Sequence, residues 1–245
     1  LNAEIYNQGF KTEKKLIEGN HYKTGSYYRF FPILGVGSET PLKIKKYFPN
    51  LTLNPKINLV LAPGISNSNK LSNEDSAIND FSIANIARLN RYSGSDKLDN
   101  SKRFTYSINA YTDNFKSSLS QSYEFTNNSN FHKEQGNDDN LSDLIGSFEY
   151  IKENEIIYNF RYDFNDTYLK KQSLDVNSET IYGDVKLSYL DQNTKINNIV
   201  NNDIETLNYS FYSKKFAKFS ELSFNGLYDL QSEINKEYSI GYSYF

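Results

Sequence analysis

The sequence of 245 residues contains no cysteine, no methionine, no tryptophan and only two histidines. Without cysteine these residues cannot form a disulfide, a cysteine-ligated zinc site, an iron–sulfur cluster or a thiol nucleophile. Neither His21 nor His132 has a histidine neighbour at metal-ligand spacing, so we predict no metal site and no cofactor. The net charge of −3 and the pI near 5.6 argue against a nucleic-acid partner, which usually requires a basic surface.

Motifs of common enzyme families are also missing. The sequence contains no GxSxG, HExxH, P-loop or GxGxxG motif. Acidic pairs at Glu74-Asp75 and Asp138-Asp139 lack the spacing of an EF-hand calcium loop, so we interpret them as solvated loop residues. We therefore expect no catalytic residues and no enzymatic activity.

Long apolar runs are absent, which excludes a transmembrane helix, since such a helix needs about 20 consecutive apolar residues. The mean hydropathy is only −0.69. Disorder is nevertheless not indicated, because aromatic residues make up 16% of the chain and disordered chains are poor in them. The 21 tyrosines and 17 phenylalanines favour strands and membrane–water interfaces.

Apolar and polar residues alternate strictly along much of the chain, which predicts strands. The clearest case is residues 156–164, where aromatic and isoleucine side chains alternate with polar ones. Comparable patterns occur at residues 104–110, 115–125, 144–150, 181–189, 207–211, 222–228 and 238–244. In the first half we predict strands at residues 27–36, 51–61 and 78–91. The total is about a dozen strands, with lengths near the ten residues that a tilted membrane strand requires.

The connections between these strands are uneven. We predict tight turns at residues 152–155 and 214–218, and long polar loops at residues 64–75, 127–140 and 194–203. Short turns at one end and long loops at the other are typical of outer-membrane barrels. A soluble β-sandwich or solenoid also alternates, but its strands are shorter and its buried face is rich in Val, Ile and Leu.

In a membrane barrel the polar face of each strand lines a water-filled lumen. Parity along the strands therefore identifies the candidates to face it, which are Lys116, Glu124, Arg161 and Asp163.

An ordered series of motifs between residues 27 and 96 is not explained by alternation. It contains Tyr28-Arg29-Phe30-Phe31-Pro32, Leu53-Asn54-Pro55, Asn73-Glu74-Asp75-Ser76 and Arg91-Tyr92-Ser93-Gly94-Ser95-Asp96. This series resembles the C-terminal barrel domain of the LPS-assembly protein LptD family. The matching positions are Arg29, Pro32, Pro55, Asn73, Glu74, Asp75, Ser76, Arg91, Gly94 and Asp96. These residues either shape the barrel and its loops or contact lipopolysaccharide (LPS) or a partner, and the sequence leaves both readings open.

The resemblance implies an all-β fold, an antiparallel outer-membrane β-barrel of which the chain supplies about a dozen strands, open or incompletely closed. Residues 1–245 would form a partial LptD-like transmembrane barrel domain. The implied function is LPS assembly in the outer membrane of a Gram-negative bacterium, by a barrel that inserts LPS into the outer leaflet. The implied partners are LPS, membrane lipid, an LptE-like lipoprotein plug and an LptA-like periplasmic bridge that binds an N-terminal domain absent from this sequence.

The chain departs from the family in having fewer strands, no periplasmic domain and no cysteines near the end of the barrel. We therefore expect it to be a piece of a longer protein. Phe245 resembles the terminal aromatic residue of barrel proteins, but the residues at its parity are Ser243, Gly241 and Ser239. These residues are polar or small, so we interpret Phe245 as a cut point.

Two other functions stay open. A porin or another outer-membrane uptake channel would share the alternation but not the motif series. An outer-membrane hydrolase would need His21 or His132 beside a serine and a carboxylate.

Overall fold

A computed structural model describes residues 1–16, 22–43, 50–65, 67, 73–77, 80–126, 131, 135–138, 140–196, 199–214 and 220–244. Within these ranges the regular structure consists of strands, and every strand pairing identified is antiparallel. No helix in the described residues is long and apolar enough to cross a membrane. The two histidines lie outside these ranges, so the geometry that a hydrolase would need falls there too.

Fifteen strands occur in the described residues. They are β1 (Asn2–Leu16), β2 (Tyr22–Glu39), β3 (Leu42–Lys43), β4 (Thr52–Leu61), β5 (Lys102–Tyr111), β6 (Phe115–Glu124), β7 (Asn137–Asp138), β8 (Leu141–Ser142), β9 (Leu144–Ile151), β10 (Asn154–Asp163), β11 (Tyr168–Glu179), β12 (Gly183–Ile196), β13 (Ile199–Ser213), β14 (Ser220–Asp229) and β15 (Ile234–Tyr244).

The strands form one sheet with the hydrogen-bonded order β1-β2-β4-β5-β6-β9-β10-β11-β12-β13-β14-β15, while the short β3, β7 and β8 pair beside this path. Strands β1 and β15 end the order, and each pairs with one described strand. The sheet is therefore open in the described part of the chain. The predicted fold class, an open antiparallel sheet of about a dozen long strands, is confirmed.

The hairpin predicted around residues 152–155 is confirmed, with the turn itself confined to residues 152–153. Strand β9 ends at Ile151 and β10 begins at Asn154, and residues facing each other include Phe148 with Tyr158 and Gly146 with Phe160. The ring of Phe148 stacks with those of Tyr158 and Phe160, and the centroids of Phe148 and Phe160 lie 6.1 Å apart. Aromatic pairs of this kind stabilise neighbouring strands and fix their register.

The strand predicted at residues 78–91 is wrong. Residues 83–87 form turns, and residues 78–79 lie outside the described ranges. The side chain of Asn85 accepts a hydrogen bond from the Ser82 backbone nitrogen and donates to the Asp80 carbonyl. This local pairing competes with strand formation. The apolar residues Phe81 and Ile86 are buried, but by tertiary packing.

The loop predicted at residues 194–203 is wrong as well, because β12 continues to Ile196 and β13 begins at Ile199. Strands β1 and β11 were not predicted. Strands β1 and β11 and the adjoining ends of β12 and β13 are rich in polar residues on both faces. Their alternation is therefore weak, although their backbones pair with neighbouring strands. Most of the turn predicted at residues 214–218, and much of the loops at 64–75 and 127–140, lie outside the described residues.

The chain divides into two compact units. Unit 1 contains Leu1–Thr40, Pro55–Ser107 and Ser120–Asp143, and unit 2 contains Pro41–Asn54, Ile108–Leu119 and Leu144–Phe245. Unit 1 has an apolar core cluster, which comprises Phe31, Ile33, Val60, Ala62 and Leu98. The cluster joins β2 and β4 to the long connection between β4 and β5.

Candidate functional site: a docked segment on the polar face

The long connection between β4 and β5 lies against the strands of unit 1. We call residues 80–100 the docked segment. Its Leu98 is fully buried against Val60 of β4 and Phe31 of β2, and its Leu89 packs on the same cluster. At its end, the backbone nitrogen of Ala62 donates to the Ser101 carbonyl across 3.0 Å. The segment therefore covers the face of the sheet that carries the buried side chains.

Four charged side chains join the docked segment to β5 and β6, and we call them the charge network. Arg91 Nε lies 2.6 Å from Asp99 Oδ2, and Arg91 Nη2 lies 2.5 Å from Glu124 Oε1. Arg103 Nη1 lies 2.9 Å from the same oxygen of Asp99. All four side chains are 0% exposed. Two cations balance two anions, as buried charges require because each ion loses its hydration.

Aromatic rings complete the surroundings of Arg91. Its guanidinium carbon lies 4.6 Å from the ring centroids of both Phe81 and Phe131. Such cation–π contacts strengthen when water is excluded. Burial by itself would lower the pKa of Arg91, but the carboxylates of Asp99 and Glu124 raise it above its ordinary value. Arg91 therefore stays charged.

Tyr92 shares this environment. Its ring stacks on Phe131 with centroids 5.0 Å apart. Burial, and then the negative charge of Asp99, raise the pKa of Tyr92 to about 12. Its hydroxyl is therefore neutral at physiological pH.

The two family motifs at residues 73–76 and 91–96 fold onto each other in what we call the Asp75–Asp96 clasp. The Asp75 carboxylate accepts hydrogen bonds from the backbone nitrogens of Ser95 and Asp96, at 3.0 and 2.9 Å. The Asp96 carboxylate accepts in return from the backbone nitrogens of Glu74 and Asp75, at 2.7 and 3.1 Å. The backbone donors of Asp96 and Ser95 hold the pKa of the Asp75 carboxyl well below its usual range.

Asn73, Ser76 and Gly94 explain the rest of these motifs. Asn73 Oδ1 accepts from the Ser76 nitrogen at 3.1 Å, and the Ser76 hydroxyl accepts from the Lys97 nitrogen at 2.9 Å. Gly94 has a φ of 88°, and a Cβ there would lie 2.4 Å from the Asp75 carbonyl oxygen. Only glycine fits this position without strain.

Arg29 attaches the clasp to the sheet. It projects from β2, donates from Nη1 to the Asp96 carbonyl and from Nη2 to the Ser95 carbonyl, both at 2.8 Å. Its Nε donates to Gln8 Oε1 on β1 at 3.1 Å. Arg29, 7% exposed, thus links two strands to the motif at residues 91–96.

The structure brings together eight of the ten family-motif positions, namely Arg29, Asn73, Glu74, Asp75, Ser76, Arg91, Gly94 and Asp96. Pro32 and Pro55 lie apart from these contacts, half-buried on β2 and β4. The contacts of those eight positions lie within the clasp or join the docked segment to the strands. Contact of any of them with LPS stays a prediction.

The four predicted lumen-facing residues have different surroundings. Glu124 joins the charge network, and Arg161 and Asp163 are buried on β10. Asp163 Oδ2 lies 3.2 Å from the buried ammonium of Lys170. Lys116 is 65% exposed and pairs with Glu149. Their orientation toward a lumen stays a prediction.

Sequence reasoning missed Asp99 and Arg103. Arg103 has the parity of the polar residues Thr105, Ser107 and Asn109, so extending the predicted polar face by one step would have found it. Asp99 lies in irregular structure, where no periodic signal exists.

Each unit also has an open cavity. One of about 610 Å³ in unit 1 is lined by the docked segment and by β1, β2 and β4, including Glu4, Asn58 and Val60. One of about 440 Å³ lies on β12 to β15 of unit 2. Its lining includes Ser188, Asn208, Ser210, Asn225 and Ser239. Within the described residues, no group of three or more acidic or histidine side chains could hold a metal ion.

Exposure along the strands is inverted relative to a soluble protein. On β2, Tyr28 and Phe30 are 72% and 55% exposed, whereas Arg29 between them is 7% exposed. Exposed apolar and covered polar side chains on an antiparallel sheet are typical of the strands of outer-membrane β-barrels.

The model of the LptD family, described as LPS transport system D, matches residues 1–233 of the 245-residue chain. The chain belongs to this family, and its function is outer-membrane LPS assembly. No curated protein matches the chain significantly. The comparison does not favour the alternative of a porin or uptake channel.

Proposed function

We propose that the chain forms part of the wall of an integral outer-membrane barrel that passes LPS to the outer leaflet without catalysing a reaction. The observation that carries the proposal is the inverted exposure of β2, where Tyr28 and Phe30 are exposed and Arg29 is covered. Residues 1–245 would then be a partial transmembrane barrel domain.

The physical basis is the amphipathic character of LPS. Its sugars and phosphates would need many hydrogen bonds, and burying them in hydrocarbon without partners is costly. A polar face such as that of β12 to β15 offers hydroxyl and amide partners, while acyl chains stay in lipid beside the apolar face. The polar wall would thus lower the free-energy barrier for moving the sugars and phosphates of LPS across the membrane, because it replaces their lost hydrogen bonds with water.

We further propose an LptE-like lipoprotein inside the barrel and an LptA-like bridge on the periplasmic side. The family membership and the open polar face of unit 2 support the first, since polar strand faces inside a barrel require water or a partner. Photo-crosslinkers at Asn208 and, as control, at the exposed apolar Ile240 would test it. A lipoprotein adduct at Asn208 only is expected, and an adduct at Ile240 would contradict it.

Depletion of the full-length protein tests the function itself. We expect newly made LPS to disappear from the cell surface and to accumulate in inner compartments, measured with a surface-restricted LPS label. A porin would instead leave LPS delivery intact and abolish the uptake of small solutes.

A further inference from the structure

Two hairpins of unit 2 are built alike, namely β10–β11 and β14–β15. Their turns occupy residues 164–167 and 230–233, and each turn ends in a residue with positive φ, Thr167 at 55° and Glu233 at 57°. Among the residues that the structure describes, these are the two non-glycine positions with positive φ. The sequences of the hairpins also match at equal spacing, with identical residues at Glu155 and Glu221, Asn159 and Asn225, Tyr162 and Tyr228, Asp163 and Asp229, Lys170 and Lys236, and Ser173 and Ser239. We call them the first and the second copy.

The aspartate that ends the first strand of each copy holds the turn. Asp163 Oδ1 accepts hydrogen bonds from the backbone nitrogens of Asn165 and Asp166, at 2.9 and 3.0 Å. Asp229 Oδ1 accepts in the same way from the nitrogens of residues 231 and 232, at 3.0 and 3.1 Å. One carboxylate oxygen of each aspartate is thus used by the turn.

The other oxygen pairs with a lysine in a β-bulge. The pairing register passes over Lys170 in β11 and over Lys236 in β15, so each lysine is the extra residue of its strand. Lys170 Nζ lies 3.2 Å from Asp163 Oδ2, and Lys236 Nζ lies 2.6 Å from Asp229 Oδ2. The same aspartate therefore contacts both the turn and the bulge.

The bulge decides which face the second strand presents. Beside the turn, even-numbered residues face odd-numbered ones, as Tyr162 faces Leu169. Beyond the bulge, even-numbered residues face even-numbered ones, as Tyr158 faces Leu174. Without the extra residue, Tyr158 would face Ser173. Because side chains alternate along a strand, a shift of one residue moves its whole apolar set to the opposite face.

The second copy has the same requirement. Beyond its bulge, Phe224 faces Ile240, and both are exposed apolar residues. Without Lys236 as an extra residue, Phe224 would face Ser239, and the apolar residues of β15 would lie on the polar face. Both hairpins therefore need a bulge, and a bulge close to the turn leaves the fewest residues on the wrong face.

We propose that the aspartate–lysine pair is a bulge anchor, which fixes the bulge beside the turn so that the apolar side chains of both strands share one face from there on. Asp163 with Lys170 and Asp229 with Lys236 are two copies of this device. The anchor determines how the sheet obtains its two faces, and it does not depend on the proposed function.

A third hairpin shows that the requirement can be met with other residues. The register of β12–β13 passes over Asp203, and Asp203 Oδ1 accepts a hydrogen bond from the Thr194 hydroxyl at 3.0 Å. A polar contact across the hairpin thus accompanies this bulge as well. The aspartate that also holds the turn is the special feature of the two copies.

The two anchors differ in exposure, which predicts different strengths. The side chains of Asp163 and Lys170 are 0% and 4% exposed, whereas those of Asp229 and Lys236 are 12% and 52% exposed. Breaking a buried pair leaves a charge without hydration, while an exposed pair exchanges for water at little cost. The first copy should therefore respond more strongly to loss of its anchor.

Pairs of cysteines report where the bulge lies, because residues 1–245 contain no cysteine. Asn225→Cys with Ser239→Cys places two thiols face to face, since Asn225 Nδ2 and Ser239 Oγ lie 3.4 Å apart. Asn225→Cys with Tyr238→Cys places them on opposite faces, where a disulfide cannot form unless the bulge has moved. In the first copy the equivalent pairs join position 159 to position 173 or 172.

Each pair is introduced into the full-length protein in cells, which are treated with an oxidant. Mass spectrometry then quantifies the bridged peptides, and the protein without added cysteines corrects for thiols elsewhere. We call the 225–238 and 159–172 disulfides the shifted bridges.

We expect Lys236→Gln to increase the shifted bridge of the second copy about threefold. Asp163→Asn should increase that of the first copy about tenfold or more. Lys214→Gln is the control, because its pair with Glu179 is similarly exposed but lies at the other end of the strands, and it should change neither bridge. Exchanging residues 164–167 with residues 230–233 should also change neither, since the aspartates and lysines stay in place.

Shifted bridges that do not increase in either anchor variant would overturn the proposal. An equal increase in the Lys214→Gln variant would overturn it too, because any lost ion pair would then have the same effect. An increase caused by exchanging the turns would show that the turn sequence, and not the anchor, places the bulge. If the Asp163→Asn variant does not fold, the exposed second copy decides the outcome.

Discussion

The two units of the chain both consist of strands with alternating polar and apolar side chains, but their polar faces differ in how far the chain covers them. In unit 1 the chain covers its own polar face, and the charges there, such as Arg91 and Glu124, are paired and fully buried. In unit 2 the polar face of β12 to β15 is open, and Lys186 and Glu237 lie among the serines and asparagines that line its cavity. Alternation therefore decides which side of a strand is polar, and the connections decide which of those polar side chains are buried.

This difference predicts which substitutions of charged residues destabilise the protein most. Substitutions in the charge network should cause the largest loss of unfolding free energy. Arg91→Ala leaves Asp99 and Glu124 buried with fewer partners, and breaking a buried pair costs about 3–5 kcal/mol. Lys116→Ala is the control, because its pair with Glu149 is exposed and worth less than about 1 kcal/mol. Denaturant unfolding of the purified full-length protein in detergent measures both. Similar losses for the two variants would erase the distinction between the covered and the open polar surface.

A charge placed on the exposed apolar face of the strands should cause the next largest loss of stability. Phe30→Arg places a charge on the exposed apolar face of β2 and should cost up to about 2–4 kcal/mol near the middle of a bilayer. Asn208→Arg, on the open polar face of unit 2, should cost at most about 1 kcal/mol. Folded fractions after insertion into lipid vesicles would measure the difference. Greater harm at Asn208 would mean that the faces are assigned the wrong way round.

A substitution of the clasp glycine should cause a smaller loss of stability, and a second glycine with a similar φ serves as the control. Gly94→Ala strains a positive φ and forces a methyl against the Asp75 carbonyl, so we expect a loss of about 1–3 kcal/mol. Gly64→Ala has a similar φ of 83° but nothing within 4 Å of its Cβ, so it should cost about 1 kcal/mol or less. Both are read from unfolding midpoints. Equal shifts would show that the contact with Asp75 does not matter.

Acid should open the clasp with the smallest effect. The folded pKa of Asp75 lies below its unfolded value near 3.9. Its contribution to stability is therefore fully present above that value and is lost as the pH falls through the folded pKa. The unfolding midpoint of the unsubstituted protein should fall more steeply below about pH 4 than that of Asp75→Asn. Parallel curves would exclude a role for this carboxylate.

Several elements could be predicted because their signal is local. The alternation at residues 156–164 predicts β10, and Lys152 and Glu153 predict its turn, since side chains on opposite faces of a strand differ in environment. Strands β1 and β11 could not be predicted, because backbone pairing with neighbours stabilises them without an apolar side-chain pattern. The strand predicted at residues 78–91 was wrong for the opposite reason. Its apolar residues are buried by packing against the sheet and not by strand pairing.

The candidate site divides in the same way. Arg91, Gly94 and Asp96 stand out in the sequence through their motif, as do their partners Asp75 and Arg29, but Asp99 and Arg103 do not. Asp99 pairs with Arg91 eight positions away from within irregular structure, which has no repeating pattern, and Glu124 reaches Arg91 from 33 residues away. Contacts between positions so far apart leave no periodic trace in one sequence.

The sequence by itself determined that this protein is an antiparallel sheet with one apolar and one polar face, because side-chain direction alternates along every strand. It also determined the family through the motifs between residues 27 and 96. Only the tertiary structure decided that Asp75, Asp96 and Arg29 close one clasp and that four charged side chains become buried as a network in unit 1. The physical reason is that burial and pairing depend on which distant segments meet, and that is a property of the folded chain.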